Sequence, residues 1–161
     1  MKSLVIYYSH SGNTTYVMQK LHEALPNKEQ AESFRLQYKG GTKSLITRLF
    51  YRINPSLVKL EPVPFDIKDY NLLCLGIPVL GAHPSAAILK YITTCKNIDK
   101  KKIICCYIYG LEASAKICAR KIEGILQKKG QPNIINMYVP WMDIHKEQFL
   151  DKTISNALAE L

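Results

Sequence analysis

The stretch Leu4-Val5-Ile6-Tyr7-Tyr8-Ser9-His10-Ser11-Gly12-Asn13-Thr14-Thr15 decides how the rest of the chain is read. Its first five residues form a continuous apolar run, as expected of a strand buried on both faces. A polar turn follows at once. Val17, Leu21, Ala24 and Leu25 then recur at helical spacing until Pro26 stops the pattern. A buried strand feeding directly into a helix is the opening of a β-α-β unit, and the remaining sequence repeats that theme.

Residues 30–37 predict a weaker, more polar strand, suited to a sheet edge. Gly40-Gly41 marks a break, after which Thr42 is expected to cap a helix carrying Leu45, Ile46, Leu49, Phe50 and Ile53 on one face. Residues 54–69, with Pro55, Pro62 and Pro64, read as connecting chain. Leu72-Leu73-Cys74-Leu75 is the next buried strand, ending at Gly76-Ile77-Pro78. Ile88, Tyr91, Ile92 and Cys95 follow at helical spacing behind Pro84-Ser85. A fourth strand spans 103–108, and Cys118, Ile122, Ile125 and Leu126 make a helix closed by Lys128-Lys129-Gly130. A fifth strand spans 134–139, and Leu150, Ile154, Ala157, Leu158 and Leu161 face inward from a terminal helix.

Five β-α alternations without a linker or repeat predict one α/β domain over residues 1–161: a doubly wound five-stranded parallel sheet with helices on both faces. The expected order is 2-1-3-4-5, which places a ligand crevice at the carboxyl ends of strands 1 and 3. Any site should draw on the loops after strands 1, 3 and 4.

Composition narrows the function classes. Apolar residues at 47% and charged residues at 22% exclude a disordered or collagen-like chain. An excess of 22 Lys and Arg over 13 Asp and Glu leaves a formal charge of +9, which favours anionic partners. Cysteines at 74, 95, 105, 106 and 118 are odd in number, lack a C-x-x-C pair and sit in apolar runs. Buried reduced thiols are expected rather than disulfides or zinc. The first apolar run is too short for a secretory signal, and no stretch approaches the ~18 apolar residues of a membrane span. A soluble, cytoplasmic protein is expected. His10, His22 and His145 show no metal spacing.

The first loop gathers Ser9, Ser11, Asn13, Thr14 and Thr15 around a helix start, where backbone N–H groups lack partners and the dipole is positive. Gly12 permits close backbone approach. This is a neutral phosphate cradle without lysine; simple helix capping by Ser or Asn is the structural alternative. Neither G-x-G-x-x-G nor G-K-[ST] is present, so adenine nucleotides are poorly supported.

Tyr8-Ser9-His10-Ser11-Gly12-Asn13-Thr14 resembles the FMN-phosphate loop of the flavodoxin family. The run from Tyr70 to Pro84, through Gly76-Ile77-Pro78-Val79-Leu80-Gly81-Ala82-His83, resembles the same family's third strand and following loop. The resemblance covers nearly the whole chain and is weakest over 38–68. It implies non-covalent FMN and electron transfer, as a carrier or reductase component; the alternative is an NAD(P)H-dependent quinone or FMN reductase. Ser9, Ser11, Asn13, Thr14 and Thr15, with the N–H groups of His10 and Gly12, would hold the phosphate. Pro78, Val79, Leu80, Gly81 and Ala82 would line the isoalloxazine ring, and Ile108, Tyr109, Gly110 and Leu111 would form the other wall. Relatives commonly carry Trp where Leu80 stands, which thins one stacking wall; Tyr109 either supplies it or packs at a strand end. The loop after strand 4 is poor in glycine. His83 either faces a substrate or is solvated.

Lys39, Lys43, Arg48, Arg52 and Lys59 gather around the second helix, and Lys96, Lys100, Lys101 and Lys102 form another cluster. Either is a solvated face or a docking surface for an acidic redox protein or for NADPH phosphates. The positive field is expected to raise the reduction potential of a bound flavin. Nucleic-acid binding lacks a supporting motif. A flavin-free interaction module or a nucleic-acid-binding module is the remaining alternative to a flavoprotein.

Overall fold

The computed structural model describes residues 1–41, 44, 47, 51 and 53–161. Five parallel strands lie in the order β2-β1-β3-β4-β5: β1 (Ser3–Tyr7), β2 (Ala31–Arg35), β3 (Leu72–Pro78), β4 (Lys102–Tyr109) and β5 (Asn133–Pro140). The described helices are α1 (Asn13–Ala24), α2 (Ala86–Thr94), α3 (Glu112–Gln127) and α4 (Glu147–Ala159). The predicted α/β doubly wound order is the observed one.

Register explains why the strands read as unbroken apolar runs. Successive side chains of a strand point to opposite faces, and both faces of the central strands are covered. Leu4, Ile6, Leu73, Leu75, Ile103 and Cys105 pack with Ile88, Tyr91 and Ile92 of α2 and with Cys118, Ile122 and Leu126 of α3. Val5, Tyr7, Leu72, Cys74, Ile104 and Cys106 pack on the opposite face with Val17, Met18 and Leu21 of α1 and with Leu150, Ile154 and Ala157 of α4. β2, with its half-buried and exposed residues, is the edge strand that its polarity predicts.

Three expectations need correction. Ile53 is 84% exposed rather than core-facing. It adjoins Asn54, whose non-helical backbone (φ −129, ψ 80) precedes Pro55, and a residue before proline is driven out of the helical region. Lys101 is not simply part of a solvated cluster: its Nζ donates to the carbonyls of Lys68 and Tyr70, at 2.9 and 2.7 Å. Ala24 is also exposed, at the last position of α1. Thr42, Lys43, Leu45, Ile46, Arg48, Leu49, Phe50 and Arg52 of the predicted second helix lie outside the described residues.

All five cysteines are free and buried. Burial pushes the Cys95 thiol up to about 11 and that of Cys105 up to about 12, and raises Cys74 and Cys106 as well. A protonated, inaccessible thiol is a poor nucleophile. The folded protein should therefore react with fewer than one equivalent of a thiol-specific disulfide reagent at pH 8, and with five after denaturation.

Gly76 sits where β3 meets α1. A Cβ there would lie 2.5 Å from Met18 Cγ and 2.6 Å from Tyr7 Cβ, and the second of these is a rigid neighbour. Gly76→Ala should lower stability by about 1–3 kcal/mol, measured by denaturant unfolding.

Candidate functional site

Because the strands are parallel, the loops after β1, β3 and β4 emerge at one edge of the sheet. They enclose a cavity of about 340 Å³ lined by Tyr8, His10, Ser11, Asn13, Thr14, Pro78, Val79, Leu80, Ile108, Tyr109, Gly110 and Trp141. Its walls are mainly apolar and its polar groups come from the start of α1.

The β1–α1 turn is built by backbone geometry. Gly12 adopts φ 96, ψ −21 and no side chain caps the helix. The Gly12 N–H instead donates to Ser9 Oγ at 3.1 Å, and the Arg35 Nη2 of β2 donates to the Ser9 carbonyl at 2.9 Å. Ser9 thus braces the loop from beneath while 3% exposed. Since neither Ser11 nor Asn13 caps the helix, the capping alternative does not account for their presence. Thr14 is almost fully buried, and Thr15 Oγ1 is buried without a hydrogen-bond partner.

The loop after β3 folds back on itself. Leu80 and His83 exchange two backbone hydrogen bonds, at 3.0 and 3.2 Å. Gly81 and Ala82 between them have φ 55 and 61, which is the tight two-residue hairpin turn with both central residues left-handed. Lys121 of α3 holds the turn from outside, its Nζ lying 2.9 Å from His83 Nδ1 and 3.3 Å from the Ala82 carbonyl. His83 is exposed, as expected of a solvated loop histidine, has Lys121 as its neighbour and does not line the cavity. The Val79 N–H donates to the Ile108 carbonyl at 2.9 Å, tying the second and third loops together.

Of the sequence-predicted residues, His10, Ser11, Asn13, Thr14, Pro78, Val79, Leu80, Ile108, Tyr109 and Gly110 meet around the cavity. Ser9, Gly12, Thr15, Gly81, Ala82 and Leu111 do not line it. Ser9 and Gly12 shape the first loop, Gly81 and Ala82 shape the second, and Leu111 is 72% exposed at the start of α3.

Trp141 was not among the predicted residues. It follows β5 in a 3-10 turn, Trp141–Asp143, is 56% exposed, and lies with its Nε1 3.8 Å from the position of a Cβ on Gly110. Trp141 and Tyr109 therefore both line the cavity, together with Leu80. Desolvation pushes the Tyr109 phenol up, and the carboxylates of Glu112 and Asp143 add to the shift, so it stays protonated at neutral pH. The sequence signal for Trp141 was its uniqueness and its place just past a strand's carboxyl end.

The two left-handed turns respond oppositely to substitution. Gly12→Ala meets no neighbouring atom, yet should cost about 1–2 kcal/mol because an L side chain disfavours that backbone. Ala82→Gly removes a similar cost but adds about 0.4–1 kcal/mol of unfolded-chain entropy. It should be neutral or slightly stabilising in the same unfolding assay.

No protein-family model and no curated protein sequence matches the chain. Several solved structures do. A flavoprotein in complex with FMN from Lactobacillus acidophilus is 17% identical, with 91% of this chain and 97% of that one covered at a TM-score of 0.65. A flavodoxin from the domain Archaea is 14% identical over 99% and 95% of the two chains, TM-score 0.59. An NADH:FMN oxidoreductase in its apo form is 9% identical over 100% and 90%, TM-score 0.62. Strand order, crossover pattern and these likenesses agree: the chain has a flavodoxin-like fold.

Proposed function

We propose that the protein binds FMN in this cavity and takes part in electron transfer, as a carrier or as a component of a reductase. One observation carries the proposal. The first turn of α1 is left without a side-chain cap, beside an unpartnered buried Thr15 hydroxyl, at one end of an apolar slot flanked by Trp141 and Tyr109. A phosphate suits the first part, and a flat apolar ring suits the second. The solved structure of the same fold from Lactobacillus acidophilus contains FMN, which supports the assignment.

In this reading Ser11, Asn13, Thr14 and Thr15, with the backbone N–H groups at the start of α1, hold the phosphate, whereas the Gly12 N–H is engaged by Ser9 Oγ. Ser9 keeps those N–H groups oriented through its bond to Gly12. Pro78, Val79 and Leu80 bear on one face of the ring; Ile108, Tyr109, Gly110 and Trp141 bound the other side. Gly81 and Ala82 N–H groups stand outside the two hydrogen bonds of their turn and are available to polar ring atoms, and Leu111 shields the rim. When bound, FMN would supply the redox chemistry, with a redox protein, or NAD(P)H and a quinone, as its partner. Aromatic walls exclude water from the ring, and the protonated Tyr109 phenol can donate a hydrogen bond without adding charge.

The Lys96–Lys102 cluster has little part in tuning that chemistry. Lys96, Lys100 and Lys101 precede β4 and Lys102 begins it, whereas the cavity lies beyond the far end of that strand. Eight residues at about 3.3 Å each give a separation near 25 Å, about three Debye lengths at physiological salt. Lys121 and Arg35 are cations set at the loops themselves, and Lys116 of α3 acts electrostatically on Tyr109. No described helix is long and apolar enough to cross a membrane, and a cytoplasmic location is part of the proposal.

Trp141 is the sole tryptophan, so its fluorescence reports on the cavity. Titration of flavin-free protein with FMN should quench it saturably, and Trp141→Ala should weaken FMN binding about tenfold, near 1.4 kcal/mol. Unchanged emission together with no retained flavin absorbance would overturn the proposal. Bleaching of the flavin by NAD(P)H alone would identify a reductase; bleaching only with a reduced protein partner would identify a carrier.

A further inference from the structure

A second cavity, of about 290 Å³, opens on the other side of Tyr8 and His10. It is lined by Tyr8, Ser9, His10, Arg35, Leu36, Gln37, Tyr38 and Gly41, and shares only Tyr8 and His10 with the first. We propose that this cavity binds a phosphate monoester carried on a small sugar or nucleoside.

The floor and the rim differ in chemistry. Tyr8, Leu36 and Tyr38 are 6%, 1% and 4% exposed, and the two tyrosine rings meet edge to face at 5.7 Å between centroids. That floor offers apolar and aromatic contact to a sugar or base. The rim carries the exposed Arg35, Gln37 and His10, a set of N–H donors with no carboxylate among them.

Arg35 supplies the charge. One guanidinium nitrogen is fixed on the Ser9 carbonyl. The ion pairs among the described residues are Lys2–Glu32, Lys116–Glu112 and Lys146–Asp143, so none neutralises it. A guanidinium has five N–H donors in a fixed fork that matches phosphate oxygens. Anchoring one nitrogen orients the others and reduces the entropy lost on binding.

The wall that completes the cavity is deliberately held in place by chain from elsewhere. The Lys39 N–H donates to the Lys59 carbonyl at 2.8 Å, and the Glu61 N–H donates to the Gln37 carbonyl at 2.9 Å. The Gly41 N–H closes a turn on the Tyr38 carbonyl at 3.0 Å. Its volume lies at the lower end of the roughly 300–1,000 Å³ found for ligand pockets, which suits a mononucleotide or a sugar phosphate rather than a whole dinucleotide. The same phosphate chemistry could come from a free metabolite or from the 2′-phosphate of NADPH.

Calorimetric titration of FMN-loaded protein, its loading checked by visible absorbance, tests the proposal with inorganic phosphate, adenosine 2′-monophosphate and adenosine at constant ionic strength. The two phosphates should bind saturably at one site and adenosine about tenfold or more weaker than its monophosphate. Gln37→Glu, which places a carboxylate beside Arg35 while leaving the Arg35–Ser9 bond, should weaken phosphate binding at least about tenfold. Its FMN binding and melting temperature should stay as in the parent. Competition by NADPH but not NADH would identify a dinucleotide source; failure of NADPH to compete would identify a free phosphate ester. No saturable phosphate binding, or binding unaffected by Gln37→Glu, would overturn the proposal. If the protein retains no FMN, the same titration of the flavin-free protein keeps the two claims apart: Gln37→Glu reports only the second cavity, whereas Gly12→Ala reports the first loop.

Discussion

The left-handed turn at Gly12 is the constraint on which the rest of this molecule depends. β1 lies in the sheet with neighbours on both sides, and its chain must leave the sheet and enter α1 within a few residues. Ser9 and Gly12 accomplish that reversal, and Arg35 ties it to the neighbouring strand. Because no side chain caps α1, the helix start keeps its unpaired N–H groups facing the loop edge. The cost of an open helix terminus is tolerable only where water or an anion can satisfy it. A left-handed turn and an uncapped helix start are therefore parts of the same feature.

Much of the architecture was legible because it follows from burial. A strand covered on both faces leaves a contiguous apolar run, and 4–8, 72–75 and 103–108 read that way for the reason seen in the two packed faces. The edge strand was legible from its polarity. Loop contents were legible too, since ten of the sixteen proposed site residues line one cavity and the remaining six sit in or beside the same loops.

What escaped depends on contacts between distant segments. Trp141 belongs to a short turn after β5, and nothing local says that this turn swings toward Gly110. Arg35 lies on a strand read only as polar, and its bond to the Ser9 carbonyl crosses from that strand to the end of the adjacent one. The His83–Lys121 contact likewise joins residues 38 apart in sequence. The surplus of positive charge was the least informative feature of all. Lys101 proved to be a tether for the chain before β3, and the cluster around it lies at the end of the sheet opposite the cavity.

The outer strands bear on a different property. A sheet with open sides presents unpaired backbone groups to other molecules, and a long apolar margin would recruit another copy edge to edge. Here β2 is only five residues long and carries Glu32 and Arg35. β5 places Asn133 and Asn136 among its apolar residues and ends in Pro140, which has no N–H to donate. The two margins are thus poorly suited to templating further strands. A central sheet this apolar can therefore present margins that discourage edge-to-edge association, while the mainly apolar cavity opens at the carboxyl ends of its strands.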